Sequence, residues 1–205
     1  MGKAYTQEEK DDIRKKIWEA GLELFHAEDE KSLNIRRITE KAGISLGSFY
    51  HFYEDKESLL RDLVIYRSSQ KLDVIRESFP ASKQDPRGYL EKQIYFHLTD
   101  MGEKIRTKAI YRDTFREEVE TERNNAALFM KLFAAFLEEL QEFWKKEHVR
   151  ATMEIAGILD LVRGAEAYYR AKPLMKEEHF DALLQDLIHD GICRYVKVCA
   201  AKDET

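Results

Sequence analysis

Residues 34–60 read NIRRITEKAGISLGSFYHFYEDKESLL, and the rest of the chain is best read outward from them. Asn34 is a residue type that caps helices, and Ile35, Ile38, Thr39 and Ala42 behind it recur on one helical face. Gly43 accepts the left-handed conformation that ends such a helix, and Ser45 opens a second short one. Two short helices joined through a glycine make a helix-turn-helix, with Ile38, Ala42, Ile44, Phe49 and Phe52 as its small core. At the exposed start of the second helix stand Leu46, Gly47 and Ser48, short residues that allow close approach to base edges in a major groove. Tyr50, His51 and Lys56 add phosphate-binding chemistry, and Asn34 with the amides after it offers a helix N-terminus to an anion.

Charge directs attention to the same place. The whole chain carries a net −5, which argues against nucleic acid as a partner of the average surface. From Lys31 to Tyr53, however, Lys31, Arg36, Arg37 and Lys41 stand against Glu40 alone, a local net charge of +3.

Apolar spacings of three and four continue on both sides, so the expected fold class is all-α. A first helix starts after Thr6 on the stripe Ile13, Ile17, Gly21, Leu24 and Phe25 and ends between His26 and Asp29. Asp55 caps a longer helix that stops at Pro80, and Pro80 and Pro86 bracket a linker. Further helices are expected over 86–101, 104–120, 122–147, 151–171 and 177–199. Asp190-Gly191 carries a hairpin signal, but it lies within the stripe Leu184, Leu187, Ile188, Ile192 and Tyr195 and is given little weight. The division expected is an N-terminal three-helix helix-turn-helix domain over 1–54 and a larger helical domain over 55–205.

With 36% charged residues, 43% hydrophobic, 3 Pro and 9 Gly, the composition excludes disordered and collagen-like chains. No apolar run approaches the roughly 18 residues of a membrane span, and Glu8, Glu9, Asp11 and Asp12 stand where a signal peptide would be apolar, so a cytoplasmic protein is expected. Cys193 and Cys199 are six apart, not at a metal-ligand spacing, and are read as reduced packing residues. An enzyme is the main rival class. A di-iron bundle needs two Glu-x-x-His repeats, and only Glu23 to His26 fits; no HExxH motif, phosphate loop or nucleophile elbow occurs. His148 and His179 are read as solvated, and no metal or cofactor is expected. A helical adaptor without DNA binding is the third class.

The run from Asn34 to Leu60, with AGISLGSFYHFYEDKESLL inside it, resembles the DNA-binding segment of the TetR family of transcriptional regulators. The resemblance is specific to the N-terminal segment and to overall length; beyond Pro80 only the helical pattern agrees. It implies that Asn34 stands where the family usually caps its second helix with Thr, that Arg36 reaches a base or phosphate, and that Tyr50 and Lys56 contact phosphates. Gly43, Ser45, Gly47, Tyr50 and the Asp55-Lys56 pair match the family pattern. Leu46 departs from it, replacing a frequent Lys with an apolar side chain suited to a thymine methyl; Thr39 replaces a usual Ala and Arg37 a frequent acid.

The same resemblance implies a ligand chamber in the larger domain. Ten of the 23 aromatic residues lie between Tyr89 and Trp144, an enrichment there, although aromatics at helical spacing are ordinarily core. Tyr95, His97, Tyr111, Phe115, Phe129 and Phe133 are the candidates to line it. The last two helices are apolar on more than one face, and Gly157, Gly164 and Ala165 would permit the close approach of a two-fold dimer interface. The expected function is a ligand-responsive transcriptional regulator, a repressor, that binds a near-palindromic operator in double-stranded DNA as a homodimer and is released by a small-molecule effector.

Overall fold

The computed structural model describes residues 5–26, 33–107 and 130–199. Within them the chain forms α1 (Gln7–His26), α2 (Ile35–Ala42), α3 (Leu46–Phe49), α4 (Lys56–Glu77), a 3-10 turn (Phe79–Lys83) and α5 (Pro86–Thr107). Then come α6 (described over 130–146), β1 (Ala151–Met153), α7 (Ile155–Arg170), a second 3-10 turn (Lys172–Leu174), α8 (Glu177–Tyr195) and β2 (Val196–Val198). The fold is all-α apart from one small ribbon, with the N-terminal helix-turn-helix followed by the larger helical part. Two compact units divide between Gln70 and Lys71, inside helix α4, and again between Lys104 and Ile105, inside α5.

In the N-terminal unit each helix starts on a side-chain cap. The Thr6 amide donates to Glu9 Oε2 at 2.8 Å and the Glu9 amide returns a bond to Thr6 Oγ1 at 3.2 Å, a reciprocal capping box. Asp55 does the same for α4, its Oδ1 accepting the Ser58 amide at 2.7 Å. The expected stripe of α1 is buried at Ile17, Gly21, Leu24 and Phe25 and half-buried at Ile13, with Gly21 set against Leu63, and Leu33, Ile38, Phe49 and Leu59 are buried in the same unit.

The second unit is built on a larger core. Leu90 of α5, Leu137, Leu140 and Trp144 of α6, Ile158 and Ala165 of α7, and Phe180, Leu184 and Ile192 of α8 are all fully buried in one cluster. Four expectations fail in this unit. The segment between Pro80 and Pro86 is not a loose linker: Phe79 and Ser82 are buried, and the Trp144 indole N–H donates to Ser82 Oγ at 2.8 Å. Helix α5 does not break after 101 but runs through Gly102 to Thr107, the local propensity cost of about 1 kcal/mol being outweighed by packing.

Helices also do not fill 151–154 or 196–199. β1 and β2 pair antiparallel with Ala151 opposite Val198 and Met153 opposite Val196, and Val196 and Val198 suit a pleated strand. Finally, the small residues of α7 are not all available to a partner chain. Ala165 is fully buried inside the unit, and Gly157 is buried against the Tyr195 ring of α8; only Gly164 is exposed. Asp190-Gly191 lies inside α8, as its stripe requires, and Gly191 lets that helix close on Leu161, since a Cβ there would lie 2.4 Å from the leucine Cδ1. The cysteines are less buried than packing residues would be: Cys193 is half-buried and Cys199 exposed.

Candidate nucleic-acid interface

Helix α2 begins where Asn34 Oδ1 accepts the Arg37 amide at 2.9 Å and ends at Gly43, which sits at φ 68° in the left-handed region. The Gly43 and Ile44 amides donate back to Glu40 O and Thr39 O, so the turn satisfies the last carbonyls of α2 while redirecting the chain. Ser45 then caps α3, its Oγ accepting the Ser48 amide at 3.0 Å. Ile38 and Phe49 are wholly buried and hold the two helices together, and Thr39 is buried with its hydroxyl donating to Arg36 O at 2.9 Å. Ala42, Ile44 and Phe52 are only half-buried; Leu33 and Tyr53 supply core that the local reading did not include.

This arrangement turns one face of α3 outward. Leu46 is 49% and Tyr50 53% exposed, Gly47 and His51 are exposed, and the Ser48 hydroxyl lies 2.8 Å from that of Ser45. Asn34 is exposed at the start of α2, and Lys56 is half-buried at the start of α4. An exposed leucine and an exposed tyrosine beside a glycine and two hydroxyls form a surface able to take both apolar and polar contacts.

Tyr5 escaped the sequence reading. Its hydroxyl lies 3.3 Å from Ser48 Oγ, and its ring packs edge-on to His51 at 6.5 Å and tilted to Phe52 at 6.3 Å. Nothing in its spacing marks it, because it precedes α1 and meets α3 only through the tertiary fold. The Arg14 guanidinium, from α1, stands 5.8 Å over the Phe52 ring.

The local positive charge is smaller than a count along the chain implies. Arg36 Nε donates to Glu40 Oε1 at 3.2 Å, and Lys41 Nζ meets Glu23 Oε1 of α1 at 2.6 Å. Arg36 and Arg37 are both exposed, and Lys31 lies outside the described residues. The Arg36 pair is solvent-exposed and worth about 0–1 kcal/mol, so the guanidinium exchanges easily onto another anion.

Behind the exposed face runs a polar chain, in which the Trp18 indole donates to Tyr53 Oη at 2.7 Å and that hydroxyl donates to Asp62 Oδ2 at 2.9 Å. Burial, reinforced by the Asp62 carboxylate, pushes the Tyr53 phenol well above its ordinary range, so it remains a donor. Trp18 also stacks on Tyr66 at 4.6 Å, which ties α1 to α4 beneath the helix-turn-helix.

Three of the six candidate ligand-lining residues fall within the described residues. Tyr95 and His97 are half-buried on α5, and Tyr95 borders an open groove of about 420 Å³ with Gly88, Glu91, Asp186 and His189. Phe133 is instead a core residue of α6, stacked on Phe136 at 5.8 Å. Tyr111, Phe115 and Phe129 lie outside the described residues. Phe96, one of the aromatics behind the enrichment, is 63% exposed.

Residues 17–63 match the sequence profile of bacterial regulatory proteins of the tetR family. Over those residues the chain is similar to the TetR family. The structural likenesses extend over most of its length. The TetR-family transcriptional repressor QsdR of R. erythropolis superposes with a TM-score of 0.58 at 13% identity, covering 89% of this chain and 95% of its own. A Streptomyces coelicolor protein assigned as a transcriptional regulator gives 0.57 at 19% identity, covering 88% and 98%. A protein of Mesorhizobium loti assigned as a TetR-family regulator gives 0.56 at 12% identity, covering 93% and 99%. At these identities the likeness is one of fold. No curated protein matches the sequence. Among the described residues no helix is long and apolar enough to cross a membrane.

Proposed function

We propose that this chain is a TetR-family, ligand-responsive transcriptional repressor that binds a near-palindromic operator as a homodimer, with residues 1–54 reading DNA and residues 55–205 binding the effector and dimerising. The observation that carries the proposal is the Ser45-capped start of α3, which exposes Leu46, Gly47, Tyr50 and His51 over a buried Ile38–Phe49 core. In this reading Gly47 and Ser48 approach base edges, Leu46 takes a thymine methyl, Arg36 meets a base or phosphate, and Asn34, Tyr50, His51 and Lys56 hold phosphates. Ser45 keeps the helix start in place.

The dimer reading is supported by Leu183 and Leu187, exposed one turn apart on α8 at 48% and 37%. Two recognition helices related by a two-fold axis require half-sites about one helical turn, roughly 34 Å, or a multiple apart. A small, largely apolar or aromatic effector bound near Tyr95, His97, Tyr111, Phe115, Phe129 and Phe133 would act through α4, whose Lys56–Glu77 span is continuous between the two functions. Such coupling amounts to about 1–3 kcal/mol, and operator must weaken effector by the same factor.

Selection of bound sites from random duplex DNA tests the reading. The expected product is a near-palindrome bound by two chains, with affinity falling steeply with salt. An asymmetric site bound by one chain, or no enrichment, would refute it. Repeating the measurement with effectors found by thermal-shift screening tests release.

A further inference from the structure

Helix α8 carries His189 and Cys193 four residues apart on one face, and Glu91 of α5 lies against His189. His189 Nδ1 lies 3.0 Å from Glu91 Oε1, and His189 Nε2 lies 3.6 Å from Cys193 Sγ. One ligand atom from each of the three residues falls within 4.8 Å of the other two. The geometry points to a Zn(II)-class metal site formed by Glu91, His189 and Cys193, separate from the DNA-reading surface.

The donor set is chemically apt. A half-buried Cys usually turns its sulfur toward apolar neighbours, whereas Cys193 turns toward an imidazole. With Zn–S near 2.3 Å and Zn–N near 2.0 Å, a tetrahedral ion spaces its sulfur and nitrogen ligands by about 3.5 Å, close to the separation found here. The carboxylate oxygen falls within 4.8 Å of the other two ligand atoms, and His189 is 61% exposed. Thiolate, imidazole and carboxylate together favour a borderline divalent cation over Mg(II) or Ca(II), which want oxygen alone.

Three protein ligands leave a fourth position. Glu91 and His189 border the open groove that also holds Asp186 and Gln185, so that position faces solvent and accepts water or an exchangeable ligand. The face is distinct from the Leu183–Leu187 stripe: at about 100° per residue His189 and Cys193 lie roughly a third of a turn away on α8.

The test uses the full reduced chain, stripped with a chelator and titrated with Co(II) alone, then with Zn(II). The expected result is one Co(II) per chain with a sulfur-to-metal charge-transfer band, displaced by Zn(II). Cys193→Ser abolishes the band, Cys199→Ser leaves it, and Glu91→Gln and His189→Ala each weaken Zn(II) by about tenfold or more. Absence of the band, a band that follows Cys199, or Zn(II) affinity that falls less than tenfold in both Glu91→Gln and His189→Ala would overturn the assignment.

Discussion

The two units of this chain are ordered by different means. In the N-terminal unit the helix starts are fixed by partners three residues away: Thr6 with Glu9, Asn34 with Arg37, Ser45 with Ser48 and Asp55 with Ser58. In the second unit α5 keeps such a cap, Asp85 Oδ1 accepting the Gly88 amide at 2.9 Å, but α7 and α8 begin at Glu154 and Lys176 with no side-chain cap. This unit is also joined by partners far along the chain, such as Trp144 with Ser82, 62 residues apart, and Arg87 Nε with Val196 O, 109 apart. A short reading helix that exposes one face has little core to hold it, so local hydrogen bonds must define it. A helix deep in a large core is held by burial, and its ends can do without caps.

The contrast is most exposed at Trp144, whose side chain is fully buried and hydrogen-bonded. Trp144→Ala should cost about 3–5 kcal/mol in chemical denaturation, from lost burial and the cavity left behind. A loss below about 1 kcal/mol would break the claim that burial dominates the second unit.

Smaller effects are expected at the proposed DNA-reading surface, where function and not folding should change. Ser48→Ala should alter preference at one base pair by about 1–3 kcal/mol, measured by competition among site variants. Lys56→Ala should weaken every sequence alike and reduce the salt slope by about one. If Lys56→Ala altered preference alone, the two roles would be reversed.

Next in size is the cap itself. Ser45→Ala should destabilise by about 1 kcal/mol and Ser45→Gly by only a few tenths, because glycine admits solvent to the freed amides. Equal costs would show that α3 is held by Phe49 burial rather than by its cap.

The smallest effect belongs to Glu166 on α7. Burial pushes its carboxyl above the ordinary 4.5, and Arg170 and Arg163 pull it only part of the way back. The folded chain thus holds this proton more firmly than the unfolded chain does, and stability is lost as pH rises through the folded value. Glu166→Gln should therefore raise the Tm at neutral pH, with the gain vanishing in acid; a gain that persists in acid would assign the effect to packing.

Sequence alone was sufficient for the helix-turn-helix. Asn34, Gly43, Ser45 and Asp55 act within three or four residues of themselves, and such interactions leave a readable spacing. It was sufficient as well for the helical class and for the buried stripe of α1. Other features exist only in the folded chain. Tyr5 over Ser48, Lys41 drawn to Glu23, the Trp18–Tyr53–Asp62 chain and the Glu91–His189–Cys193 cluster each join elements whose separation along the chain carries no periodic signal. The β1–β2 ribbon belongs with them, since three-residue strands are too short to show alternation and form because Val196 and Met153 are buried opposite one another. Local hydrogen bonds are written in neighbouring residues, whereas burial and long-range pairing are decided only when the helices pack.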